Sequence, residues 1–189
     1  KSLFAARKVT LYAGQAAFAG AGKIQITAPD GGKSLITADK IIIATGSVPS
    51  RIPGWPTDVN LVCTSDEALH WKQLPKKLII VGGGVIGCEF ACMLHEYCVE
   101  TTIVEMMDSL LPEMERQLGL TMAETFTKRG IKIFIGVKVE SMQAVSNGLK
   151  ATLSGGHVIE ADKVLVATGR RPATQDLGLE SIGLQTDRG

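Results

Sequence analysis

The sequence predicts an α/β chain: a doubly wound, parallel-sheet domain with an attached β-meander, flanked by pieces of a second, related unit. Three observations carry this. Short aliphatic runs alternate with stretches of helical spacing, the pattern of a parallel sheet with crossover helices. The segment Asp39-Lys40-Ile41-Ile42-Ile43-Ala44-Thr45-Gly46-Ser47-Val48-Pro49 returns as Asp162-Lys163-Val164-Leu165-Val166-Ala167-Thr168-Gly169-Arg170-Arg171-Pro172, at a constant offset of 123. A glycine cluster, Gly82 to Gly87, joins an aliphatic run to a helical pattern.

Taken in order, the first unit offers β-like segments around the turn Asp30-Gly31-Gly32, then the run Ile41–Ala44. A continuous aliphatic run of this length reads as a strand buried on both faces. Trp55–Asn60, with Pro49, Pro53 and Pro56 around it, reads as a linker. The second unit begins with Leu78–Val81 as a buried strand, followed by a helix from Val85 to about Tyr97 and a strand at Thr101–Val104. After Pro112 a helix is expected from about Glu113 to Arg129, with Gly130 fitting its C-terminal cap. Ile131–Ile135 is a third strand, and turns at Asn147-Gly148 and Gly155-Gly156 mark a meander. Val164–Ala167 closes the unit. The first unit shows only a meander and its Ala-Thr-Gly run, so the chain is expected to begin inside that unit. The expected partition is 1–51, 52–169 and a return segment, 170–189.

Composition excludes several function classes. The 189 residues carry a net charge of +1 and are 45% hydrophobic, so a core is possible and no basic surface argues for nucleic acid. No apolar run approaches the ~20 residues of a membrane span. Lys1 to Lys8 resembles neither a signal nor a transit sequence. Cys63, Cys88, Cys92 and Cys98 lack metal or disulfide-framework spacing, and free cysteines pack as small hydrophobes. A reducing compartment is the simplest context. His70, His95 and His157 fit no triad or metal spacing.

Gly82-Gly83-Gly84-Val85-Ile86-Gly87 matches the dinucleotide pattern GxGxxG in the required context, after a strand and opening a helix. Gly82 makes the tight turn, Gly84 lets a pyrophosphate approach the backbone, and Gly87 lets helix and strand pack closely. The helix N-terminus supplies free N–H groups and a dipole favouring anions. The alternative is a purely structural glycine turn. Glu105 follows Gly82 by 23 residues, near the spacing at which an acid accepts from the ribose 2′-hydroxyl. It would repel a 2′-phosphate, and no Arg or Lys lies between Met106 and Leu111, so NAD rather than NADP is expected. A solvated acid at a strand end is the alternative. Glu89, early in the helix, suits the dipole as well as a functional role. Thr45, Gly46 and Ser47 could face one nucleotide and Gly169 another, at the carboxyl ends of their strands.

These stretches, in order and spacing, together with Leu177-Gly178-Leu179-Glu180 and Asp187-Arg188-Gly189, resemble the pyridine nucleotide–disulfide oxidoreductases, and within them the dihydrolipoamide dehydrogenase branch. The resemblance spans the whole chain. It implies an NAD site lined by Gly82, Gly83, Gly84, Val85, Ile86, Gly87, Cys88, Glu89, Glu105, Val139 and Gly169, with Glu89 near nicotinamide and flavin. It implies FAD contacts from Ala16, Thr45, Gly46 and Ser47. It also implies a homodimer serving a 2-oxo acid dehydrogenase complex, in the cytoplasm or mitochondrial matrix. The branch passes electrons from dihydrolipoamide to a redox disulfide, then FAD, then NAD. This sequence departs from the pattern: no CxxxxC pair, first FAD glycine fingerprint or C-terminal His-Glu pair falls within it. No catalytic residue is therefore assigned, and full activity and tight FAD binding are not expected of these residues alone. The competing readings are an NADPH-dependent glutathione or mercuric reductase relative, and a stand-alone nucleotide-binding module.

Overall fold

The structure, a computed structural model, describes residues 2–187. Arg188 and Gly189, which contribute to the resemblance, lie outside the described residues, as does Lys1. The described chain forms two compact units: residues 2–47 with 172–187, and Val48–Arg171.

In the first unit a short helix, α1 (Ser2–Ala6), precedes strands β1 (Gln15–Phe18), β2 (Lys23–Thr27) and β3 (Lys33–Thr37). They form an antiparallel sheet in the order β1-β2-β3. The Gly31-Gly32 turn joins β2 to β3 as expected, and the Asp30 carboxylate accepts the Gly32 N–H at 2.9 Å. From the far end of the sequence a 3₁₀ turn, Leu179–Ile182, returns to β1. There the Phe18 N–H donates to the Leu177 carbonyl at 2.7 Å.

The run Ile41–Ala44 corrects an expectation. It is neither a strand nor buried: Ile42 is 91% exposed and Ile43 42%. A doubly buried strand needs hydrogen-bonded neighbours on both edges and a packed layer on each face. Among the described residues none of the sheets includes this run.

Its repeat has those neighbours. The second unit holds β4 (Ser47–Pro49), β5 (Val62–Thr64), α2 (Ser65–Ala68), β6 (Lys77–Val81), α3 (Val85–Glu96), β7 (Glu100–Glu105), α4 (Arg116–Arg129), β8 (Lys132–Ile135), β9 (Val139–Val145), β10 (Gly148–Leu153), β11 (Val158–Ala161), β12 (Lys163–Val166) and β13 (Arg170–Pro172). β5, β12, β6, β7 and β8 form, in that order, a five-stranded sheet, parallel throughout. β4 and β13, through which the chain enters and leaves this unit, pair as a ribbon.

The two-residue period of the strands sorts this core into two layers. Leu78, Ile80, Ile103 and Leu165 face the helices, packing with Phe90, Ala91, Leu94 and Phe126. Ile79, Val81, Val104, Val164 and Val166 face the other way, onto Leu149, Ala151 and Leu153 of the meander. Helices thus cover one face, and the antiparallel β9-β10-β11 meander covers the other. Burying each such aliphatic side chain stabilises the fold by about 1.5–3 kcal/mol before entropy is counted.

Local departures have local causes. α4 starts at Arg116, three residues later than the spacing predicts, because the segment before it is pinned elsewhere. The Leu111 N–H donates to the Gly83 carbonyl at 2.8 Å, and the Leu110 side chain is fully buried. Gly119 inside α4 lies against the Leu110 carbonyl: a β-carbon there would stand 2.1 Å from the oxygen. Gly130, left-handed at φ 93°, ends α4 as expected. The β9–β10 turn falls on Ser146-Asn147, one residue earlier than expected, with Gly148 opening β10.

Candidate functional site

Strand order reverses beside β6. β7 and β8 lie to one side of it and β12 to the other, and open α/β sheets bind ligands at the carboxyl ends of strands at such a point. A cavity of about 670 Å³ opens there within the second unit. Its floor is made by the ends of β6, β7 and β12 and by the N-terminus of α3.

The glycine turn builds this floor. Gly82 takes φ 109°, and a β-carbon on it would lie 2.4 Å from the Ala167 carbonyl oxygen, so strand β12 passes too close for any side chain. Gly83 is covered by Leu110 and by the stem of Glu105. At Gly87 a β-carbon would stand 1.9 Å from the Gly82 carbonyl oxygen, so its absence lets α3 start directly against the turn. Gly84 differs. A β-carbon there would meet nothing within 4 Å, and the residue lines the cavity. It is the N-cap of α3 and carries no side-chain cap hydrogen bond. The first N–H groups of a helix have no intrahelical partners and sit at its positive dipole end. Open space above an uncapped helix N-terminus is what a pyrophosphate requires.

Glu105 ends β7 and is 7% exposed. Both carboxylate oxygens accept from backbone: Oε2 from the Gly83 N–H at 2.5 Å, Oε1 from the Met107 N–H at 2.7 Å. The side chain therefore braces the glycine turn against the turn that follows β7. Each oxygen keeps a further lone pair, and the residue lines the cavity.

The structure brings Gly82, Gly84, Val85, Ile86, Glu105, Val139 and Gly169 together around this one cavity. Gly83, Gly87 and Cys88 lie beneath it. Cys88 is 4% exposed, and its thiol donates to the Gly83 carbonyl at 3.3 Å. Burial, with the nearby Glu105 charge, pushes that thiol up to about 11. Glu89 points out of α3 as an exposed residue and does not line the cavity. In the first unit Ala16 and Thr45 line a small cleft of about 100 Å³ with Ile41–Ala44, and Gly46 and Ser47 are exposed beside it. A cleft of that size does not enclose a dinucleotide, since ligand sites typically measure ~300–1,000 Å³.

Sequence reasoning missed part of the wall. Trp55, read as linker, lines the cavity, as do Ile52, Met106, Met107, Met114 and Lys138. The two methionines directly after Glu105 carried a positional signal. Lys138 carried none: Val137 N–H to Glu105 O at 3.0 Å and Gly136 N–H to Met107 O at 2.8 Å bring its segment in from 33 residues away. Among the described residues no group of His, Cys, Asp and Glu could hold a metal ion.

The four thiols offer a check on this packing. Cys63 and Cys88 are buried, Cys92 is half-buried and Cys98 exposed. Burial pushes Cys63 up to about 12, with the Glu67 charge adding to it. A neutral thiol reagent should modify Cys98 first, and Cys63 and Cys88 only on unfolding, because the thiolate is the reacting form. Mass spectrometry of labelled peptides reads the order; early modification of Cys88 would contradict the packing beneath the glycine turn.

Comparison with known proteins places this geometry. The family model described as pyridine nucleotide-disulphide oxidoreductase matches residues 2–189. The chain is 37% identical over 185 residues to the dihydrolipoyl dehydrogenase of Chlorobaculum tepidum, covering 96% of this chain and 39% of that protein. It is 34% identical to the mitochondrial dihydrolipoyl dehydrogenase 1 of Arabidopsis thaliana, covering 100% and 38%. Among solved structures, LpdA of Mycobacterium tuberculosis superposes with a TM-score of 0.90 at 31% identity, over 100% of this chain and 42% of that one. The HOCl-induced flavoprotein disulfide reductase RclA of Escherichia coli gives 0.84 at 30% identity, over 96% and 41%. The chain thus spans about two-fifths of the length of these relatives. On the match across the described residues, the chain belongs to the pyridine nucleotide-disulphide oxidoreductase family.

Proposed function

We propose that the second unit binds NAD(H) in the 670 Å³ cavity, and that it serves as the nicotinamide-nucleotide domain of a dihydrolipoamide dehydrogenase. The observation that carries this reading is the open wall at Gly84, above the uncapped N-terminus of α3 and beside Glu105. In it the backbone N–H groups at the start of α3 hold the pyrophosphate. Gly82, Gly83 and Gly87 hold the turn in shape. Glu105 keeps its two backbone bonds and offers its remaining lone pairs to the ribose hydroxyls. Val139 and Gly169 border the rest of the dinucleotide. Bound NAD supplies a hydride acceptor at its nicotinamide ring. Trp55, Ile52, Leu111 and the methionines exclude water along the apolar wall.

In the same reading the first unit contributes to an FAD-binding domain through Ala16, Thr45, Gly46 and Ser47, and residues 52–169 are the NAD domain. The whole protein then oxidises dihydrolipoamide to lipoamide through a disulfide and FAD, with NAD reduced to NADH. It acts as a homodimer within a 2-oxo acid dehydrogenase complex, in the cytoplasm or the mitochondrial matrix. The named relatives support this assignment. Among the described residues no helix is long and apolar enough to cross a membrane.

Calorimetric titration of the oxidised protein with NAD⁺ and NADP⁺ tests the reading. NAD⁺ should bind at least about tenfold more tightly, the equivalent of ~1.4 kcal/mol. Tighter NADP⁺ binding would favour an NADPH-dependent reductase of the same family, and absence of binding by either would remove the dinucleotide assignment.

A further inference from the structure

Among the described residues, Lys138 is the one basic residue lining the cavity. Its backbone is fixed on both sides of the peptide: its N–H donates to the Ser154 hydroxyl at 3.0 Å, and its carbonyl accepts from the Ser154 N–H at 2.8 Å. The side chain is exposed, and its ammonium has no hydrogen-bond or ion-pair partner among the described residues. The preceding residue, Val137, donates its N–H to the carbonyl of Glu105. Lys138 is thereby held next to the turn after β7, where the adenosine ribose is read in the proposed function. The carboxylate there is already engaged by two backbone donors, which offset part of its charge. The acid that should repel a 2′-phosphate is braced and buried, while an exposed cation with no partner among the described residues stands on the same wall.

We infer that Lys138 is a second determinant of dinucleotide choice, whose ammonium attracts a ribose 2′-phosphate and so works against Glu105. This inference rests on the dinucleotide reading of the cavity. Discrimination between the two dinucleotides then reflects opposing charges at residues 105 and 138, and removing the cation sharpens the preference for NAD. Lysine suits the task because its flexible stem lets a point charge reach a phosphate that only one of the two ligands carries.

The test compares wild type, Lys138→Ala and Lys138→Arg in the intact oxidised protein. NAD⁺ is titrated directly and NADP⁺ by competition against it, at low and at moderate salt. Lys138→Ala should weaken NADP⁺ about fivefold and change NAD⁺ less than twofold, as expected for a partly solvated charge pair. The salt dependence of NADP⁺ binding should flatten in the same variant, and Lys138→Arg should retain both properties. Equal losses for the two ligands would overturn the inference, since the lysine would then act on the shared pyrophosphate. Unchanged affinities would overturn it too. If wild type binds neither dinucleotide, the reading of the cavity fails, and the inference falls with it; that outcome is distinct from a lysine without effect in a protein that does bind.

Discussion

Gly87→Ala should be among the most damaging single-methyl changes in the second unit. The added carbon would stand 1.9 Å from the Gly82 carbonyl oxygen, and that oxygen belongs to a backbone held by the Gly82 N–H bond to Val104 at 2.9 Å. Neither side can yield by a rotamer change. α3 must slide away from β6, opening the packing of Ile80 and Cys88 beneath it. Overpacking typically costs 1–3 kcal/mol, and a backbone clash lies at or above the top of that range, so a loss of about 3 kcal/mol is expected. At roughly 2–4 °C per kcal/mol for a chain of this size, thermal unfolding should fall by about 6–12 °C. NAD⁺ binding should be lost with it. Gly84→Ala provides the contrast. Its φ of −72° suits any residue and its methyl meets nothing, so stability should fall by no more than about 1 kcal/mol, the cost of alanine at an N-cap. Binding should nonetheless weaken by about tenfold or more, because the methyl fills the space a pyrophosphate needs. Differential scanning calorimetry and titration calorimetry on both variants separate the two effects. A Gly87→Ala protein as stable as wild type would mean that the close approach does not exist.

Glu105→Ala should damage both binding and folding. Removing the carboxylate orphans the N–H groups of Gly83 and Met107 at once. A buried donor left unsatisfied costs roughly 1–3 kcal/mol, and the adjoining cavity lets water recover part of that, so about 2 kcal/mol in total is expected. NAD⁺ affinity should fall at least tenfold, and the gap to NADP⁺ should narrow. Glu105→Gln keeps one acceptor oxygen and should fall between alanine and wild type in denaturant midpoint. If Glu105→Ala retains wild-type stability while losing NAD⁺ affinity, the bracing role is wrong and the ribose role stands alone. If stability falls and affinity does not, the reverse holds.

Much of the site was legible because its causes are local. The glycine turn needs specific small residues at fixed positions for steric reasons that act within one βα unit, so the pattern from Gly82 to Gly87 marks the turn from the sequence. The acid at the end of β7 stood out by its spacing, but its bonds to the backbone did not. Nothing in the sequence says that Glu105 accepts from Gly83 and Met107, because those bonds depend on how two turns meet. Lys138, Trp55 and Ile52 reach the wall only through packing of segments far apart in sequence, and local periodicity is blind to that. Ile41–Ala44 teaches the converse. It matches Val164–Ala167 closely in composition and spacing, yet only the latter is flanked by parallel strands and covered on both faces. A strand is a property of its neighbours as well as of its own residues. The late start of α4 belongs to the same class, since the anchoring of Leu110 and Leu111 to the glycine turn overrides helical spacing.

The two units differ in how their parts are distributed along the sequence, and that difference sets an order of events at synthesis. Val48–Arg171 is contiguous, so every partner it needs has emerged once its own last residue has left the ribosome. The other unit is not contiguous: β1 waits for Leu177 and Gly178, which reach it only after the whole of the second unit has been made. Although its residues are translated first, the first unit must finish last, and until then the edge of β1 remains open to wrong partners. Rapid completion of the inserted unit shortens that interval by bringing the returning segment back to the point where the chain left.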